Sequence, residues 1–265
     1  MSIVSVSANP FTALFSAIED GSVECVDLTH PLSEATPIIR LPEPLANTPG
    51  WSLDEVSNYD ERGPIFYWNS FSGSEHMGTH FDAPVHWITG RDREDVSQIP
   101  PERLIGPAVV IDRTKEVAAN RDYLLTVADV RGFEQEHGPL PKGGWLLFRT
   151  GWSSRYWDSS AFLASDEHGT HWPGIDSECA RFLAEETDIR GYGVEQIGID
   201  CGLAHELDPP WPAHHYLLGA GKFGLAQLAS LDRLPPTGSL LIPAPLRIVR
   251  GSGSPTRVAA LVPSP

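Results

Sequence analysis

Apolar residues recur along the chain in short runs whose period changes from stretch to stretch, so helices and strands are expected to alternate. Near the N-terminus Leu14, Phe15 and Ile18 share one side of a helix over residues 11–18, which Gly21 ends. Residues 1–22 therefore read as an N-terminal packing arm. Residues 25–28 form a short strand. Residues 37–57 are rich in proline and lack periodicity, the pattern of a long ordered loop of the kind that covers sites. Further strands are expected at 108–112, 145–150, 196–200, 240–248 and 257–261. Between them a helix starts at Thr126, carries Asp129 in its first turn and stops at Gly138. A second spans 176–186, where Ile175, Cys179, Phe182 and Leu183 fall on one face. A third is expected over 217–228, where Gly219, Gly221 and Gly224 either weaken the helix or mark close packing. With no repeat, low-complexity tract or linker in view, the fold class is α/β, a single mixed domain over residues 1–265.

Composition narrows the function more than the fold. At 265 residues and 41% hydrophobic content the chain can bury a sizeable core. Its 35 acidic residues against 19 basic ones leave a net charge of −16, which repels nucleic-acid phosphates and anionic lipid surfaces. Neither nucleic acid nor membrane is an expected partner. No stretch reaches the roughly 18 apolar residues of a membrane span, and the N-terminus lacks the basic start and apolar run of a signal peptide. The odd set Cys25, Cys179 and Cys201, without close-paired spacing, suits reduced thiols and a cytoplasmic protein.

Chemistry concentrates in Ser74-Glu75-His76-Met77-Gly78-Thr79-His80-Phe81-Asp82-Ala83-Pro84-Val85-His86, which holds three of the ten histidines. A helix here would be costly at Gly78 and Pro84 and would turn Asp82 away from the histidines. In an extended chain side chains alternate, so positions 76, 80, 82 and 86 can all face one way. Two imidazoles and a carboxylate on one face match the ligand set of catalytic metal sites, which keep positions open for water and substrate. That leaves His86 without a ligand's role. A second cluster, Pro209 to Tyr216, places His214 and His215 at the entry to the glycine-rich helix, where at most one of them can face a given site. Asp200, at the end of an apolar strand, is either a cap or a functional residue. Phe66, Tyr67, Trp68, Phe81, Trp87 and Trp211 lie near these motifs and are candidates to wall a pocket for a flat ring.

The run from His76 to Trp87 resembles the signature of the cyclase family of metal-dependent hydrolases, which includes kynurenine formamidases and isatin hydrolases. Similarity continues through Gly193 to Asp200, Pro212 to His214, Gly219 to Leu225 and Gly251 to Pro255, and it is strongest toward the isatin hydrolase branch. The resemblance implies a swivelling β/β/α fold in a homo-oligomer, a homodimer or homotetramer. It also implies His76, His80 and Asp82 as metal ligands, His86 as general acid/base, and His214 facing substrate or metal. Phe81, Trp87, His214 and Gln227 become candidates for substrate contact. Two-metal formamidases carry a bridging glutamate twelve residues after the histidine matching His214, and here that position is Ala226. One divalent ion, Mn2+ or Zn2+, is therefore expected, with a cyclic or aromatic amide as substrate. Arylformamidase activity, a metal-dependent cyclase or lyase reaction, and non-catalytic binding of a metal or small molecule are the alternatives. Against the last, His86 beside a full ligand set has no use in storage.

Overall fold

In the computed structural model, residues 9–41 and 43–264 are described. Among the described residues there are twelve strands: β1 (Val23–Asp27), β2 (Ser52–Asn58), β3 (Tyr67–Ser72), β4 (His80–Asp82), β5 (Gly106–Asp112), β6 (Leu124–Leu125), β7 (Trp145–Arg149), β8 (Gly174–Ile175), β9 (Gly191–Val194), β10 (Phe223–Ala226), β11 (Ser239–Pro245) and β12 (Gly253–Pro263). Five α-helices accompany them: α1 (Pro10–Glu19), α2 (Thr114–Ala119), α3 (Val127–His137), α4 (Ser159–Leu163) and α5 (Ser177–Glu185). No helix among the described residues is long and apolar enough to cross a membrane.

Eight strands make the main sheet in the order β1-β12-β11-β5-β7-β9-β10-β4. Strands β5, β7, β9 and β10 run parallel and are continuously apolar, as strands covered on both faces must be. One face packs against α3 and α5 through Val130, Phe133, Cys179, Phe182 and Leu183. The other holds Phe81, Trp145, Leu225 and Phe223. Because β4 also pairs with the start of β12, the sheet closes on itself, and β4 is clamped on both edges. This short strand carries His80 and Asp82.

Strong local signals were reliable guides. Helix α3 begins with a capping box between Thr126 and Asp129, and α5 is capped by Asp176. Strands β1, β5, β7, β11 and β12 overlap the expected segments. Three expectations need correction. The strand expected at 196–200 lies earlier, at β9, and residues 195–200 follow a series of bends. Two buried carboxylates pull this segment out of the ladder: Glu195 accepts from the Thr150 and Gly151 amides, and Asp200 from the Ala213 amide. The helix expected at 217–228 is a single π-helical turn, His214–Leu218, followed by β10. Gly221 turns the chain at φ +77°, and Gly224 lies so close to β4 that a Cβ there would sit 2.7 Å from the Asp82 carboxylate. The loop expected over 37–57 ends in β2, whose hairpin with β3 stands off the main sheet.

Helix α1 forms as expected but buries none of its residues against this chain. Of the expected arm, residues 1–8 lie outside the described residues.

His30 stacks on Tyr156 at 3.7 Å, and its Nε2 has no partner among the described residues. Burial lowers its pKa to about 4. An unfolded chain would protonate this ring near pH 6.5, whereas the folded chain resists until about 4, so stability present above pH 6.5 is lost as pH falls through that window. His30→Phe keeps the stacked ring and removes the proton site. Urea titrations at pH 7 and pH 5 are expected to show the variant losing about 1–2 kcal/mol less than the wild type on acidification. Equal losses in both proteins would refute the assignment.

Candidate metal centre

Convergence at the site comes from three kinds of backbone rather than one long strand. Gly78, at φ +56°, folds residues 75–79 into bends that bring His76 back over β4. His80 and Asp82 project from β4 itself, and Pro84 opens a 3-10 turn, Pro84–His86, that carries His86. The extended run expected from 76 to 86 is thus corrected to a strand of three residues between two turns. The cause is local, since glycine permits the left-handed turn and proline cannot continue a central strand.

Three candidate ligand atoms meet here. His76 Nδ1 lies 2.7 Å from Asp82 Oδ1, and His80 Nε2 lies 3.5 Å from the same oxygen. His80 Nδ1 sits 2.8 Å from the Gly78 carbonyl, which can only accept, so Nδ1 carries the proton and Nε2 turns a bare lone pair to Asp82. Asp82 is almost wholly buried between these rings. Burial in turn lowers the pKa of His80 and keeps it neutral. A buried carboxylate facing imidazole lone pairs is an unstable set without a cation, and two nitrogens with one oxygen suit a divalent metal. Among the described residues, His76, His80 and Asp82 form a cluster whose ligand atoms all lie within 4.8 Å of one another.

Glycines make the room. Asp82 is flanked in register by Gly224 of β10 and Gly253 of β12. A Cβ on Gly253 would lie 2.6 Å from the His76 ring, so side chains at either position would displace a ligand.

Beside the ligands, His86 stacks on His76 with ring centroids 3.8 Å apart. Burial, and then the neighbouring His76, depress its pKa well below the ordinary value, so the ring is neutral. The His214 ring lies 5.5 Å from His86 and 4.7 Å from Trp87. Its Nδ1 meets Asp200 Oδ2 at 2.5 Å, and Asp200 also accepts the amides of Ala213 and His214. Asp200 is therefore both a cap and the partner of His214. Burial would depress the His214 pKa, but the Asp200 contact outweighs it and the pKa is raised. Trp87 and Trp211 lie 5.9 Å apart and add an aromatic wall.

Other candidates fall elsewhere. Phe81 is corrected: it is fully buried in the core between Trp145 and Phe223, because alternation in β4 turns it to the face opposite His80 and Asp82. His215 packs edge-on against Tyr216. Phe66, Tyr67 and Trp68 stand exposed on or beside the hairpin. Gln227 follows β10 at φ +55° and is buried, and neither end of its amide has a protein partner among the described residues. Its backbone carbonyl accepts from the Thr79 hydroxyl, one residue before His80. Ala226 pairs with His80 across the ladder and offers no carboxylate. Sequence reasoning missed Ser252, which lies 2.8 Å from His76 Nε2, and its partner Glu75. Glu75 stood in the histidine-rich run from Ser74 to His86, and the only sequence signal for Ser252 was the small-residue run from Gly251 to Pro255.

The Cyclase family profile matches residues 26–201 of the chain. The chain belongs to the cyclase family. Isatin hydrolase of Roseibium aggregatum is 46% identical over 255 residues, which cover 95% of this chain and 97% of that protein. A crystal structure of an isatin hydrolase bound to the product analogue thioisatinate is 44% identical, with a TM-score of 0.95 and 100% of both chains covered. Kynurenine formamidase of Salinibacter ruber is 29% identical over 237 residues, which cover 88% of this chain and 94% of that one. This cyclase-family chain therefore shares its entire architecture, and not the ligand motif alone, with isatin hydrolases.

Proposed function

We propose that the protein hydrolyses a cyclic amide fused to an arene, as in isatin, with His76, His80 and Asp82 holding one divalent ion, Mn2+ or Zn2+. The observation that carries this reading is a neutral, partly enclosed His86 packed against a complete ligand set. When bound, such an ion polarises a carbonyl oxygen and brings the pKa of water from about 15.7 to about 7. His86, kept neutral by burial, takes a proton from the attacking water and returns it to the departing ring nitrogen. His214, charged more readily because of Asp200, donates to the oxygen on which negative charge develops. Trp87 and Trp211 offer flat faces to the arene. The carbonyl carbon gains the water oxygen, the C–N bond breaks as the nitrogen takes the proton from His86, and the second water proton leaves the new carboxyl group to solvent, so the product carries a free carboxylate and an aryl amine.

The identity to isatin hydrolase supports the choice of substrate, and the alanine at position 226 supports a single ion. Weaker similarity to kynurenine formamidase supports arylformamidase activity as the second reading. Under one Mn2+ load, kcat/KM for isatin is expected to exceed that for N-formylkynurenine. A clear preference for the formamide would reverse the order of the two readings.

We also infer a homo-oligomer, a dimer or tetramer. The hairpin of β2 and β3 leaves Leu53, Tyr67, Trp68 and Phe71 exposed, and α1 leaves Phe11 and Phe15 exposed. Apolar surface of this extent marks contact with another protein. Light scattering is expected to give a multiple of the chain mass that falls toward one chain in Trp68→Glu, and a monomeric wild type would defeat the inference. The three free thiols suit a cytoplasmic location.

A further inference from the structure

The hydrogen bonds of His76 are asymmetric in a way that the ligand set does not by itself require. Ser252 directs both its backbone amide, at 2.9 Å, and its hydroxyl, at 2.6 Å, to the same Glu75 oxygen, Oε2. A carboxylate oxygen only accepts, so the single hydroxyl proton of Ser252 is committed to Glu75. The Ser252 Oγ then has only lone pairs to offer His76 Nε2 at 2.8 Å, and the imidazole must donate. A neutral ring that donates from Nε2 is bare at Nδ1, the atom that faces Asp82 Oδ1. If the serine hydroxyl pointed at the ring instead, Nδ1 would carry the proton and pair with Asp82, and the ring would leave the ligand set.

The scaffold holds this arrangement in place. The Ser252 carbonyl accepts from the Ala83 amide, one residue after Asp82, and Gly253 leaves space for the His76 ring. Glu75 precedes His76 in sequence, whereas Ser252 arrives from the turn before β12. The relay therefore joins the segment before β4 to the start of β12 at the site.

We propose that Glu75 and Ser252 act as positioning residues whose hydrogen-bond relay fixes the tautomer of His76, so that its Nδ1 lone pair is presented to the metal. The proposal rests on His76, His80 and Asp82 being the metal ligands, and it concerns affinity rather than chemistry. Loss of such an outer partner typically weakens metal binding about 10–100-fold.

The test is Mn2+ binding, read from the free-ion electron paramagnetic resonance signal during titration of apo protein at one pH, alongside the apo unfolding temperature. Ser252→Ala and Glu75→Ala are each expected to weaken Mn2+ binding about 10–100-fold, and the double variant no more than either alone, because one relay is broken once. Ser252→Thr keeps the hydroxyl and Glu75→Gln keeps an acceptor oxygen, so both are expected to bind within about threefold of wild type by the same hydrogen-bond logic. Apo unfolding temperatures are expected to stay together across the series. Wild-type affinity in Ser252→Ala, additive losses in the double variant, or equal losses in Glu75→Gln and Glu75→Ala would each overturn the relay. Should Ser252→Ala fail to fold, Glu75→Ala decides alone, since it frees the serine proton while leaving the serine in place. A wild-type chain that binds neither Mn2+ nor Zn2+ would instead overturn the metal centre, a failure distinct from a relay that proves silent in a metal-binding protein.

Discussion

His86→Ala is expected to lower kcat about 10²- to 10⁴-fold while the protein keeps its metal, the range typical of a lost general acid/base. His86 is not among the converging ligand atoms, yet its ring lies against His76, and burial keeps it neutral and ready to take a proton. Replacing it leaves the lone pairs of His76 and His80 and the carboxylate of Asp82 untouched. Steady-state kinetics with elemental analysis of the same preparation separates the two effects. If the variant loses metal along with turnover, His86 is a ligand and the division of roles between it and the other histidines is wrong.

Asp82→Ala is expected to remove both metal and activity, and by more than the roughly 10–100-fold that outer-partner changes cost in affinity. Its carboxylate is the only anionic group among the three candidate ligands, and it is almost wholly buried. The contact that joins the two histidines runs through its Oδ1. Without it, two neutral imidazoles remain to hold a divalent ion, which is too little charge in a buried site to replace lost hydration. Wild type is expected to bind one ion per chain, because the strand position opposite His80 is Ala226. Elemental analysis of metal-restored protein checks both statements. Two ions per chain in wild type, or an undiminished ion in Asp82→Ala, would contradict them.

The glycines of the site were visible in the sequence but their purpose was not. In the 217–228 stretch they stood against a helix, and the structure turns the end of that stretch into β10. Gly224 and Gly253 come from segments about thirty residues apart in sequence and meet on either side of Asp82. Each leaves out a side chain that would collide with a ligand. A local rule rates glycine as a weak helix former, and only the strand pairing shows why these positions exclude a Cβ.

The sequence by itself determined the elements whose signals are local. The capping box at Thr126, the apolar face of α5 and the continuous apolar runs of β5 and β7 all act over a few residues, and all appear in the fold. It also pointed to the candidate ligand cluster, because imidazoles and a carboxylate within seven consecutive residues, His76 to Asp82, need only a turn to converge. Tertiary structure alone decided the rest. It sent Phe81 into the core and His214 to the side of His86, and it assigned Asp200 and Ser252 to the two histidines they serve. Ser252 lies 176 residues from His76, and no periodicity or propensity acts over such a separation. What joins them is closure of the sheet, in which β12 lays its first residues against β4.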